Sequence, residues 1–96
     1  MTRSELIDIL SSIKIELKQK FGIEEIALFG SYARGEATEE SDVDIAILKM
    51  EKKDITKRLE AKEFLEKRLN KKIDLGYLDS MRTFIKNRIQ KDFIYV

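Results

Sequence analysis

The chain has 96 residues and contains no cysteine, no histidine and no proline. Without cysteine there can be no disulfide, no thiolate nucleophile and no thiolate zinc site. Without histidine a Ser-His-Asp triad, an imidazole general base and the usual zinc or copper sites are excluded. The potential metal ligands that remain are oxygens, which suit hard ions such as magnesium or manganese. No apolar run approaches the roughly 20 residues that cross a bilayer, and no signal peptide is evident. A soluble, cytoplasmic protein without membrane contact is therefore expected. An excess of one charge is lacking too, since 19 Lys and Arg against 18 Asp and Glu leave a net +1. No surface for direct binding of duplex nucleic acid is expected from that balance. Linkers, repeats and low-complexity tracts are absent, so residues 1–96 read as a single domain with one modest core.

What is present alternates between helical and strand patterns. Thr2-Arg3-Ser4-Glu5 is a capping box that opens a helix. Leu6, Leu10, Ile13, Leu17 and Phe21 then recur at helical spacing, and Gly22 is a stop. Ile23 to Phe29 reads as a strand, with Ile26-Ala27-Leu28-Phe29 buried on both faces, and Ser31 to Gly35 as a short helical turn. Glu36 to Ser41 is polar and reads as a loop before a second strand, Val43 to Leu48. Asp54 caps a long helix reaching about Leu69, with Ile55, Leu59, Ala61, Leu65 and Leu69 forming its core-facing stripe. Ile73 to Leu78 is a third strand. Asp79 or Ser80 caps a last helix carrying Met81, Phe84, Ile85, Arg88 and Ile89 on one face, and Phe93 to Val96 forms a terminal strand. The expected class is α/β with α+β character: helices packed on a small mixed sheet.

The chemistry lies in three short stretches. Asp42 and Asp44 are two apart at the start of a strand, so both project to one face with Cα atoms roughly 6.5–7 Å apart. Two such carboxylates repel by about 2–3 kcal/mol at an effective dielectric of about 20. Partial burial raises at least one pKa unless a cation is shared between them. The competing reading makes both ordinary loop and strand-edge residues. An EF-hand loop does not fit, because Ala46 and Ile47 stand where an oxygen ligand and a glycine are needed. Asp74 interrupts an otherwise strand-like run, Lys72 to Leu78, where aspartate is disfavoured. A helical crossover from Asp54 makes strands two and three parallel and brings Asp74 beside Asp44. An ion pair with Lys71 or Lys72 would equally account for Asp74. If strands one and two are antiparallel, the Gly30-Ser31 exit of the first meets Asp42 at the start of the second. Backbone N–H groups there and the Ser31 hydroxyl could face an anion. Arg34 could hold a phosphate, or pair with Glu36 or Glu39.

These stretches together, Gly30-Ser31-Tyr32-Ala33-Arg34-Gly35, Ser41-Asp42-Val43-Asp44-Ile45 and Ile73-Asp74-Leu75, resemble the minimal nucleotidyltransferase group of the DNA polymerase β superfamily. The resemblance runs from about Ile23 to Leu78 and implies the palm-like nucleotidyltransferase fold. It implies that Asp42 and Asp44 bind two Mg²⁺ ions (Mn²⁺ being an alternative), that Asp74 joins them at the catalytic metal, and that Gly30 and Ser31 contact the ATP triphosphate. The second domain that larger relatives use for acceptor and base is missing from the pattern. The resemblance further implies a HEPN-domain toxin as partner, with this chain the antitoxin that transfers AMP from ATP to a tyrosine of the toxin. The mechanism expected is two-metal transfer, with Asp74 receiving the acceptor proton and Arg34 steadying the triphosphate. Two other readings remain open at this point: an antitoxin that neutralises by contact alone, and a transferase acting on a small molecule or nucleic acid.

Overall fold

The capping box forms as the first residues dictate. Thr2 Oγ1 accepts from the Glu5 N–H, and Glu5 Oε1 accepts from the Thr2 N–H, each at 3.1 Å. The computed structural model describes residues 1–96. Helix α1 (Arg3–Ser12) starts at that cap and is followed by α2 (Lys14–Phe21). The single helix expected here is interrupted at Ile13, whose ψ of 6° leaves the helical range. No glycine, proline or cap marks the break in the sequence, so periodicity alone does not reveal it. The stripe survives: Leu6, Leu10, Ile13, Leu17 and Phe21 are all buried. Gly22, in the left-handed region at φ 70°, ends α2.

Strand β1 (Ile23–Phe29) leads into α3 (Gly30–Arg34), and β2 (Val43–Met50) runs two residues beyond its expected end. Helix α4 (Ile55–Leu69) begins at Asp54, whose side chain accepts from the Lys57 N–H. Strand β3 (Ile73–Tyr77) gives way to a 3₁₀ turn (Leu78–Ser80), then α5 (Thr83–Gln90) and β4 (Ile94–Tyr95). The sheet order is β3-β2-β1-β4, with β2 and β3 parallel and the other pairs antiparallel. This is the mixed sheet with packed helices that the sequence predicts. No helix is long and apolar enough to cross a membrane.

The pleat sorts the sheet residues by face. Ile26, Leu28, Val43, Ile45, Ile47, Ile73 and Leu75 join Leu6, Leu10, Leu17, Leu65 and Leu69 in one core. Asp44 and Asp74 alternate with these residues and so take the other face.

Two helix faces depart from expectation. On α4, Ala61, Leu65 and Leu69 are buried, but Ile55 and Leu59 are 68% and 50% exposed. At 3.6 residues per turn those two lie at the rim of the arc, and Arg58 lies nearer its centre. Arg58 takes the inward position, donating from Nη1 to the Leu75 carbonyl at 2.9 Å and stacking over Tyr77. On α5 no residue is buried, and the N-cap is Arg82 rather than Asp79 or Ser80. The Asp79 carboxylate is drawn instead to Lys53 Nζ, 2.7 Å away. Met81 precedes the helix, and Phe84 and Ile85 face solvent.

Candidate active site

Strand register alone brings the acidic residues to one rim. Asp44 pairs with Phe29 across the antiparallel ladder and with Asp74 across the parallel one. Asp42 directly precedes β2, held there by a hydrogen bond from the Val43 N–H to the Lys72 carbonyl at 2.9 Å. Asp44 is half-buried, whereas Asp42 and Asp74 are exposed. Burial is the main cause that lifts the Asp44 pKa above the ordinary carboxylate value. The negative charges of Asp74 and then Asp42 add to it, and Arg34 opposes it. Asp74 forms no ion pair with Lys71 or Lys72, since Lys71 Nζ donates to the Glu39 carbonyl at 2.9 Å instead.

Gly30 completes the rim in a way that a turn residue alone would not require. Its φ is +76°, and a Cβ built on it would overlap Asp44 Oδ2 and lie 3.0 Å from Asp44 Cγ. The backbone leaving β1 thus lies directly against the Asp44 carboxylate. Helix α3 is anchored behind it by buried Tyr32 and Ala33, and Arg3 Nη1 donates to the Ala33 carbonyl at 2.9 Å. Ser31 stays half-exposed at the start of α3. Arg34 pairs with Glu36 (Nε to Oε2, 3.0 Å), one of its expected partners, and not with Glu39. Its second partner is Asp92 (Nη1 to Oδ2, 3.2 Å), 58 residues away and without any local signal in the sequence.

Beside the rim, between α4 and the start of β3, lies an open cleft of about 360 Å³ lined by Asp42, Lys62, Glu66, Lys72, Ile73 and Asp74. Its acidic side chains, Asp42, Glu66 and Asp74, offer oxygen ligands of the kind Mg²⁺ or Mn²⁺ prefers, with Lys62 and Lys72 beside them. The like charges of Asp74 and Asp42, which add to the effect of burial on the Asp44 pKa, are what a shared cation would relieve. They are not drawn around a common point: no group of three or more acidic side chains is close enough to hold an ion as it stands.

Comparison with known proteins agrees with this architecture. The family model described as nucleotidyltransferase domain matches residues 10–96. The protein adenylyltransferase MntA of Thermococcus cleftensis is 40% identical over 96 residues, covering all of this chain and 97% of that protein. A solved minimal nucleotidyltransferase superposes with a TM-score of 0.81 at 24% identity, covering 98% of this chain and 95% of the other, which establishes the fold. A crystal structure of a toxin–antitoxin with AMP-PNP matches at TM-score 0.72 and 26% identity, covering 99% of this chain and 72% of that one. With a domain match over nearly its whole length and a relative alike from end to end, this chain belongs to the nucleotidyltransferase domain family, among its protein-adenylyltransferase members.

Proposed function

We propose that this chain is an antitoxin that transfers AMP from ATP to a tyrosine hydroxyl of a HEPN-type partner toxin in the cytoplasm, acting as one domain over residues 1–96. The observation that carries the reading is the contact of the Gly30 backbone with Asp44, with Asp74 beside Asp44 on the adjacent strand. A triphosphate seated along Gly30 and Ser31 has its α-phosphate next to these carboxylates. Only a glycine lets the backbone lie this close to the Asp44 carboxylate.

Asp42, Asp44 and Asp74 are the residues that would hold two Mg²⁺ ions. When bound, these ions neutralise charge on the triphosphate and acidify an acceptor hydroxyl. Ser31 Oγ offers a hydrogen bond to a phosphate oxygen. Arg34, half-exposed on Glu36 and Asp92, is within reach of the same anion once it lets go of either carboxylate. The acceptor oxygen forms its bond to the α-phosphorus while the bond to the bridging oxygen breaks and pyrophosphate leaves. The displaced proton goes to Asp74, the exposed carboxylate on the side away from Gly30 and Ser31. In a chain without histidine, a carboxylate is the group left to take that proton. The relatives named for adenylyl transfer to protein and for a toxin–antitoxin with AMP-PNP support the substrate pair and the partner.

The test is incubation with labelled ATP, Mg²⁺ and the product of the adjacent gene. Label is expected on that partner with the wild type, and none with Asp42→Asn or Asp44→Asn, both of which keep a native circular dichroism spectrum. Full transfer by either variant would overturn the assignment. One observation favours a second reading, neutralisation by contact: Phe84 on α5 is 66% exposed and available to a partner surface. Tight binding and inhibition of the toxin without label would establish that reading.

A further inference from the structure

Strand β3 is the outermost strand on its side of the sheet, so it has a ladder partner on one edge only. The other edge leaves backbone N–H groups without a strand to receive them. At the start of β3 one such group is taken up from outside the sheet. The Ile73 N–H donates to Glu66 Oε2 at 3.1 Å, in a half-buried contact reaching from α4. Ile73 is the residue immediately before Asp74. On the opposite side of the same turn, the Lys72 carbonyl accepts from the Val43 N–H at 2.9 Å, between Asp42 and Asp44. The turn after α4 is therefore held from both sides, by β2 and by Glu66. The Ile73 side chain is packed in the core, Glu66 supplies the hydrogen bond to the outer edge of its backbone, and Glu66 itself lines the cleft with Asp42 and Asp74.

We infer that Glu66 is a positioning residue for Asp74. Its carboxylate holds the peptide that leads into Asp74, so that the Asp74 side chain keeps its place beside Asp44. This rests on the reading of Asp42, Asp44 and Asp74 as the metal-holding set. Glu66 acts through an acceptor oxygen, not through its charge, so glutamine can replace it and alanine cannot. A ligand or a general base would fail in both variants.

The experiment compares wild type, Glu66→Ala, Glu66→Gln and Asp44→Asn in three measurements. Mn²⁺ binding is followed by EPR without nucleotide, Ile73 amide exchange by NMR, and AMP transfer with the adjacent-gene product as acceptor. Glu66→Ala is expected to weaken Mn²⁺ binding and lower kcat, each by about tenfold, as loss of an outer-sphere partner does. It is also expected to speed exchange at Ile73 while the KM for ATP holds. Glu66→Gln is expected to match wild type in all three. A folded Glu66→Ala protein with wild-type Mn²⁺ affinity and kcat would overturn the inference, and so would a Glu66→Gln protein as impaired as Glu66→Ala. If wild type and Asp44→Asn bind Mn²⁺ equally poorly, the metal-site reading itself falls, and this inference with it.

Discussion

Two glycines of this chain share a backbone conformation and differ in what surrounds them. Gly30 and Gly35 have φ values of +76° and +74°. A Cβ on Gly35 would meet nothing nearer than Arg3 Nη1 at 4.0 Å, whereas on Gly30 it would collide with the Asp44 carboxylate. Both alanine variants therefore carry left-handed strain, on the order of 1–3 kcal/mol, measurable by urea denaturation. Only Gly30→Ala displaces Asp44, and a displacement of that kind costs about 10²-fold or more in transfer rate. Equal activity in Gly30→Ala and Gly35→Ala would contradict the assignment of Gly30 to the site. Asp44 carries a second consequence, for stability. Its pKa is raised in the folded state, first by burial and then by Asp74 and Asp42. The folded form then holds its proton more tightly than the unfolded form, so stability falls as pH rises from the unfolded to the folded pKa. The cost is fully present at neutral pH and vanishes below the ordinary carboxylate pKa. Asp44→Asn removes it, so in EDTA at pH 7 its melting temperature should exceed that of wild type. At pH 3 that advantage should be gone.

At the scale of elements, the strands were more legible than the helix faces, for a physical reason. A strand has a period of two, and Asp44 and Asp74 at matching places in two apolar runs left one register that keeps Val43, Ile45, Ile73 and Leu75 inside. The long crossover through α4 then made β2 and β3 parallel, and the acidic rim followed from topology. A helix stripe allows more latitude, because an arc wide enough to hold Ile55 and Leu59 also holds Arg58. Which of these turns inward depends on the Leu75 carbonyl and the Tyr77 ring, both on another element. The start of α5 lies beyond its sequence-predicted cap for a similar reason: Asp79 answers to Lys53 across the fold and not to its own helix. Asp92 was invisible in the sequence because only the return of β4 along β1 carries it to Arg34. The helices should differ accordingly under mutation. Leu65, 1% exposed on α4, should cost about 2–5 kcal/mol as Leu65→Ala. Phe84→Ser on α5, where the ring is 66% exposed, should stay within about 0.5 kcal/mol. A comparable loss from Phe84→Ser would mean that α5 is part of the core after all.

For the molecule as a whole, the sheet separates stability from chemistry. One face carries the 18-residue buried cluster that holds the fold together. The other presents Asp44 and Asp74, side by side and of like charge. Folding therefore assembles an acidic rim that it does not need, and the rim's repulsion opposes folding. Any ion that binds this rim in the native state and not in the unfolded chain must stabilise the protein by mass action. At ten times its Kd, Mg²⁺ or Mn²⁺ adds about 1.4 kcal/mol, a rise in melting temperature of roughly 6–11 °C for a domain of this size. Asp44→Asn starts from a higher melting temperature in EDTA but should gain little from the ion, so the two curves cross as the ion is added. Ca²⁺-free titrations followed by circular dichroism would trace both curves. Parallel curves, with the variant gaining as much as wild type, would place ion binding elsewhere on the surface and detach the acidic rim from the chemistry proposed for it.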